Sequence, residues 1–279
     1  MPYRHRLWIA AVLGLALAIA GVLLRVPHVA AGGPAVGAMP FVDVAAQPMR
    51  DPAVPLDVLF VGNSLLGSFT KASGEDTPDM VRHLAALAGR TVNVTQVIHS
   101  GYTLRQTWDD GLVADALSGR KRYDFVVLQE YSTQVALHPE ATRSTLLDLY
   151  APTFGRALKP GGRVVLFKNW ALVDPAPFPS RAAAKAAIDA NYAALSAALA
   201  VPTQLAPIGD EFEVLIAARG ASFLIVPDGK HPNDTAIYLD AVTLYAMLFA
   251  DSPRHLADLY LPAPVAADVR DLAARALGY

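Results

Sequence analysis

The chain has 279 residues, a formal net charge of −2 at pH 7 and no cysteine. That length suits one sizeable α/β domain with an appendage. A near-neutral balance without long charged runs excludes an electrostatic nucleic-acid binder. The lack of cysteine excludes disulfides, thiolate nucleophiles and Cys-ligated zinc.

Arg4, His5 and Arg6 precede an uninterrupted apolar run, Leu7–Leu24. A basic flank before an apolar core directs a chain into the export pathway. The run is just long enough to span a bilayer, and Val29-Ala30-Ala31 after it forms a small-residue cleavage site. Residues 1–25 therefore read as a signal sequence or a membrane anchor, with length favouring the anchor. Residues 26–55, rich in Ala, Gly and Pro, read as a linker. The domain is expected over 56–279, working outside the cytoplasm.

Val58-Leu59-Phe60-Val61 reads as a buried strand running into a Gly62-Asn63-Ser64 turn. Thr77 is expected to cap a helix, with Pro78 at its first position and Gly89 as its stop. Thr91–Ile98 alternates as a second strand and leads into His99-Ser100-Gly101-Tyr102. Tyr123–Gln129 is a third, central strand. Glu140–Leu158 is predicted helical, Lys159–Gly162 a turn and Arg163–Lys168 the fourth strand. Ser180–Ala200 is a helix capped by Ser180, and Thr203–Ala206 a short fifth strand. A helix to about Ala218 follows, then a loop, Pro227–Asp234. Helices over Thr235–Phe249 and Val265–Leu277 close the chain. Strands alternating with helices predict a three-layer α/β/α sandwich around a mostly parallel five-stranded sheet.

Chemistry-bearing residues gather behind the strands, where such sheets bind ligands. Ser64 follows strand one, Gly101 strand two, and Gln129 ends strand three. Asp228 and His231 share one late loop. A serine hydroxyl needs a positioned base, and the base needs a carboxylate to fix its tautomer. Asp228-x-x-His231 supplies both. Developing negative charge on an attacked carbonyl needs donors, for which the Ser64 and Gly101 N–H groups and the Gln129 amide are candidates.

The blocks Gly62-Asn63-Ser64, Gly101 and Asp228-Gly229-Lys230-His231-Pro232 resemble those of the SGNH hydrolase superfamily, the GDSL-like esterases and lipases. The resemblance covers roughly Leu56–Phe249. It implies a flavodoxin-like sandwich, Ser64 as nucleophile, His231 as base and Asp228 as orienting acid. Two positions depart from the family pattern. Asn63 stands where Asp is usual, and Leu128-Gln129-Glu130 stands where the family has Gly-x-Asn-Asp. Gln129 is the expected substitute for the missing oxyanion-hole Asn.

Glu130 would oppose an oxyanion, so it is expected to turn away, pair with a base or bind substrate hydroxyls. His99 and Ser100 receive no role. Trp108, Trp170 and Tyr131 read as core or rim, and Asp109-Asp110 and Asp210-Glu211 as solvated faces or helix starts. No spacing suggests a metal site, and no cofactor is expected.

The expected activity is ester hydrolysis through a Ser64 acyl-enzyme, preferably of O-acetyl groups on a small-molecule or polysaccharide carbohydrate. An acyltransferase with the same triad, a degenerate polysaccharide-binding domain and a lipase or thioesterase are the alternatives. Nucleic acid is not an expected partner. The membrane is one only through an uncleaved N-terminal helix, and the oligomeric state stays open.

Overall fold

A computed structural model describes residues 41–67 and 74–279. Five strands form one wholly parallel sheet in the order β2-β1-β3-β4-β5. They are β1 (Leu56–Gly62), β2 (Val92–Ile98), β3 (Tyr123–Leu128), β4 (Leu158–Phe167) and β5 (Thr203–Ala206). Parallel neighbours need crossovers, and helices supply them: α1 (Thr77–Leu87), α2 (Leu104–Asp109), α3 (Leu112–Ser118), the short α4 (Gln134–Leu137), α5 (Pro139–Ser144), α6 (Ala151–Ala157), α7 (Arg181–Ala198) and α8 (Ile208–Arg219). Two more, α9 (Asp234–Phe249) and α10 (Ala263–Ala276), complete the cover.

The period of two in a strand sorts the side chains into two cores. Val58, Phe60, Phe125, Val127, Val165 and Phe167 pack with α1, α8, α9 and α10 on one face. Leu59, Val61, Val126, Leu128, Val164 and Leu166 pack with α3, α6 and α7 on the other. That is the three-layer sandwich the alternation of elements predicts. α9 carries almost no polar face because it is covered all round by the sheet, α1 and α10.

Several local expectations shift. Thr77 is the first helical residue of α1, not its cap, and Asp76 takes the capping position. Thr77 N–H is held by Leu66 O at 2.8 Å, so the helix start is tied to the turn after β1. The helix expected over Glu140–Leu158 is broken by a π-helical turn at Thr145–Tyr150. Pro152 follows it directly. Its missing N–H and its ring displace the carbonyl four residues back, and a widened turn accommodates both. Lys159–Gly162 forms a bulge inside β4, not a free turn, with Tyr123 opposite Leu158 and Phe125 opposite Arg163.

The linker reading fails for its described part, residues 41–55. Val42 N and Val44 N donate to Ala276 O and Leu277 O at 3.1 and 3.0 Å, and Arg50 N donates to Phe249 O at 3.0 Å. These carbonyls belong to the last turns of α10 and α9, which have no acceptor duty left inside their helices. The segment satisfies them and buries Val44 completely. The described fold therefore includes residues upstream of Leu56.

The leader or anchor expected over 1–25, and the linker over 26–40, lie outside the described residues. Among the described residues, no helix is long and apolar enough to cross a membrane.

Asp210 and Glu211 sit in the first turn of α8 but are buried, against the expectation of a solvated face. Asp210 pairs with Lys185 at 2.7 Å and with Lys168, which also holds Asp189 at 2.9 Å. Among the described residues Glu211 has no such partner, and its carboxylate accepts only from Thr243 Oγ1, at 3.0 and 2.9 Å. Asp240, one turn earlier on α9, is fully buried with both carboxyl oxygens unpartnered among the described residues. Burial, reinforced by the neighbouring Glu211, pushes the Asp240 carboxyl well above its ordinary range.

A carboxyl whose folded pKa is raised is neutral in the fold while the unfolded chain ionises. Its contribution is complete below the unfolded pKa and is lost as pH rises towards the folded value. Asp240→Asn should therefore flatten the fall in melting temperature between about pH 4 and pH 8, where an ionising Asp costs up to about 1.4 kcal/mol per pH unit. Thermal unfolding across that range checks this, and an unchanged slope would contradict it.

Candidate active site

Parallel order β2-β1-β3 makes the carboxyl ends of β1 and β3 a topological switch point: the chain leaves β1 to one side and returns on the other. Ser64 lies just beyond that end of β1. The turn is wound tightly, with Leu66 N donating to Asn63 O at 3.0 Å and Gly67 N to Ser64 O at 3.2 Å. Asn63 Oδ1 accepts from Leu65 N at 3.1 Å, an Asx closure across the serine. Gly62 is required here. A Cβ would stand 2.7 Å from Gln129 Oε1 and 2.8 Å from Leu66 Cδ1.

The opposing wall is the loop before α9. Asp228 Oδ1 accepts from Lys230 N at 2.8 Å and from His231 N at 3.0 Å, which folds the loop onto its own carboxylate. Gly229 takes the left-handed conformation the turn demands, at φ +75°. Ile225 and Pro232 bridge across the base of the loop, and Trp170 Nε1 donates to Lys230 O at 3.1 Å. Trp170 is itself clamped flat on Phe212, with ring centres 4.0 Å apart. Asn233 then caps α9 by accepting from Ala236 N.

This loop brings three predicted residues into one relay. Ser64 Oγ lies 2.9 Å from His231 Nε2, and His231 Nδ1 lies 2.6 Å from Asp228 Oδ2. The carboxylate accepts at Nδ1, so the imidazole carries its proton there and offers the Nε2 lone pair to the hydroxyl. Burial pushes the Asp228 carboxyl up. Hydrogen bonds from the His231 side chain and from the His231 and Lys230 backbone outweigh burial and leave it below its ordinary value. Asp228 therefore stays ionised at neutral pH.

Gly101 sits in a left-handed turn at φ +80° after β2. Among the described residues, neither its N–H nor that of Ser64 has an acceptor. Both are free to receive a developing negative charge.

Gln129 is not free to do so, and its expected donor role is corrected. Its side chain is fully buried, and Oε1 accepts from Asn63 N at 2.9 Å. Nε2 donates to Glu130 O and faces Asn169 Oδ1 at 3.4 Å. The amide's donors are spent on the scaffold, because the longer stem carries them past the strand end and into the interior.

Glu130 turns inward, as one of its expected outcomes required, and among the described residues it meets no basic residue. Oε1 accepts from Leu104 N at 2.9 Å and from Tyr131 N at 2.7 Å. Burial raises its carboxyl to about 7 against the pull of those two N–H groups. Asn169 and Lys230 were not singled out from sequence as site residues. Asn169 Nδ2 donates to Glu130 O at 2.8 Å, and Lys230 Nζ bonds Tyr131 Oη at 3.0 Å on the rim. Asparagine at the end of a predicted fourth strand was the available signal for the first. Of the acidic pair Asp109-Asp110, Asp109 binds Arg105 and Asp110 binds His99 at 2.8 Å, both on partly exposed surface. Trp108 packs at the core's edge against Tyr150. Among the described residues, no group of three His, Asp or Glu side chains could hold a metal ion.

No protein-family model matches the sequence, and no curated protein matches it. Solved structures do. A DUF4886 family protein from Bacteroides uniformis is similar at TM-score 0.64 and 14% identity, over 81% of this chain and 96% of its own. A protein of Slackia heliotrinireducens, described as a candidate SGNH hydrolase, is similar at TM-score 0.54 and 24% identity, over 70% of this chain and 100% of its own. An acetylxylan esterase from Geobacillus stearothermophilus is similar at TM-score 0.53 and 14% identity, over 71% of this chain and 95% of its own. The chain has the α/β fold of the SGNH hydrolases.

The short Asp228–His231 bond gives a direct expectation. Asp228→Asn keeps the size of the side chain but removes the charge that orients and stabilises the imidazole. For the ester hydrolysis expected from the sequence, kcat should fall about 10²- to 10⁴-fold with KM little changed. Steady-state kinetics on p-nitrophenyl acetate checks this. A kcat within a few-fold of wild type would remove Asp228 from the relay.

Proposed function

We propose that this chain is a serine ester hydrolase. One observation carries the reading: an unbroken hydrogen-bonded relay from Asp228 through His231 to Ser64 at the switch point of the sheet. A 2.9 Å contact between a hydroxyl and an imidazole oriented by a carboxylate is what an activated serine needs.

In the proposed reaction, Ser64 Oγ attacks the ester carbonyl while His231 Nε2 takes its proton. Asp228 stabilises the resulting imidazolium. The tetrahedral oxyanion is met by the Ser64 and Gly101 N–H groups. Its collapse expels the alcohol, which receives the proton from His231. Water then attacks the Ser64 acyl-enzyme, giving its proton to His231, and the second collapse returns Ser64 and releases the carboxylic acid. With Gln129 withdrawn, the hole has two donors. A missing third is worth about 2.7–4 kcal/mol of transition-state stabilisation in comparable sites.

The preferred substrate is a carbohydrate O-acetyl ester. The likeness in fold to an acetylxylan esterase supports the small acyl group and the sugar alcohol. The basic flank at Arg4 and Arg6 and the apolar run Leu7–Leu24 support an exported domain, held at or released from the cytoplasmic membrane.

Labelling by a fluorophosphonate tests the serine. Wild-type protein should label stoichiometrically, Ser64→Ala not at all, and His231→Ala about 10³-fold more slowly or worse. Acetate release from acetylated xylan or acetylated glucosides tests the substrate. A folded wild type that neither labels nor releases acetate would overturn the hydrolase reading.

A further inference from the structure

The two backbone donors of the proposed oxyanion hole come from different turns, one after β1 and one after β2. What holds them together is a set of polar side chains that the proposed chemistry leaves without a role. Asn63 stands at the centre. Its Oδ1 closes the nucleophile turn on Leu65 N, and its Nδ2 donates to Tyr102 O at 2.9 Å. Both partners are backbone groups of one polarity each, so the amide has a single workable orientation. The bond joins the residue before Ser64 to the residue after Gly101. It therefore lies beside the Ser64 N–H and two peptides from the Gly101 N–H.

Two further side chains lock this link from below. Gln129 Oε1 accepts from Asn63 N, while its Nε2 is spent on Glu130 O. Glu130 Oε1 accepts from Leu104 N, where the Gly101 turn enters α2. Asn169 donates to the Glu130 carbonyl from the end of β4. His99 N donates to Gly62 O at 3.0 Å, so the two turns also share a backbone bond. All four side chains are buried, with Asn63 at 1% and Gln129 at 0% exposure. Buried polar groups with every partner fixed specify one arrangement.

We infer that Asn63 and the Gln129–Glu130 pair are positioning residues that hold the Ser64 and Gly101 N–H groups in one frame as a two-donor oxyanion hole. The role rests on the hydrolase reading above. It also accounts for both departures from the family pattern. Asp at position 63 could close the Asx turn but could not donate to Tyr102 O, and Asn at position 129 would be one methylene short of Asn63 N.

Asn63→Asp is the test: it keeps the acceptor for Leu65 N and loses the donor to Tyr102 O, and because it also adds a negative charge, Asn63→Ala is measured beside it as the uncharged control. With p-nitrophenyl acetate, kcat should fall about 10- to 100-fold while KM stays within about threefold. Affinity for a trifluoromethyl ketone, whose hemiketal oxyanion occupies the hole, should fall by the same factor as kcat/KM. A structural role alone would not produce that match. Gln129→Met acts on the same turn, so its effect combined with Asn63→Asp should be smaller than the product of the two. Should Asn63→Asp not fold, Asn63→Ala and Gln129→Met carry the same comparison. Wild-type turnover with either folded variant within about twofold in kcat would overturn the inference and leave the hydrolase reading standing. A wild type without turnover or labelling would overturn both.

Discussion

Everything at the candidate site depends on one constraint of parallel sheets. Strands that run the same way end on the same edge, so the turns after β1, β2 and β3 open together. Because β2 and β3 flank β1 on opposite sides, the turns after β1 and β3 part at that edge and leave a crevice. Ser64 stands on one lip. The loop before α9 arrives from a distant part of the sequence and places His231 against it. The sheet order sets Ser64 at the edge, and contacts such as Trp170 Nε1 to Lys230 O bring the loop to it.

The local elements were readable because their signals are local. β-branched runs bounded by Gly, Asn and Pro mark the strands, and Ser180 caps α7 by accepting from Ala183 N at 3.2 Å. The relay was readable for a similar reason: Asp228 and His231 lie three residues apart, and the loop folds on the carboxylate itself. Ser64 needed only a strand before it. Readings failed where the deciding partner lies far along the chain. Gln129 looks like an oxyanion donor until Asn63 N, on the neighbouring strand's turn, fixes its Oε1 and leaves its Nε2 bonded to Glu130 O. Residues 41–55 look like linker until the end carbonyls of α9 and α10 accept their N–H groups. Glu211 looks like a solvated helix start until α9 closes over it.

Polar burial in this molecule takes two forms with different consequences. Around Lys168, charges of both signs share hydrogen bonds, so burial is offset by pairing. Asp240 and Glu211 have no ion-pair partner among the described residues, and burial, which outweighs the pull of Lys168 on Glu211, holds them towards the neutral form. In the first arrangement burial pushes the Asp189 carboxyl up, but hydrogen bonds from Lys185 and Lys168 outweigh it and hold the carboxyl below its ordinary range. The second is strained by ionisation. The two lie within one helix of each other. The contact between α8 and α9 is therefore where rising pH is expected to weaken the fold.

Glu130 sits between those forms. It is buried beneath the turn that carries Gly101, with its carboxyl raised to about 7 and with two backbone N–H groups on one oxygen. A carboxylate directly facing an oxyanion would cost the transition state what the donors contribute. Turned inward, the same carboxylate spends its charge on Leu104 N and Tyr131 N and holds the turn instead. The Gln129–Glu130 dipeptide thus works from behind the site. Gln129 holds the serine's turn and Glu130 holds the glycine's, each through a bond to backbone. Under the proposed mechanism, geometry that a donor side chain would supply at the front is supplied by fixing the Ser64 and Gly101 N–H groups.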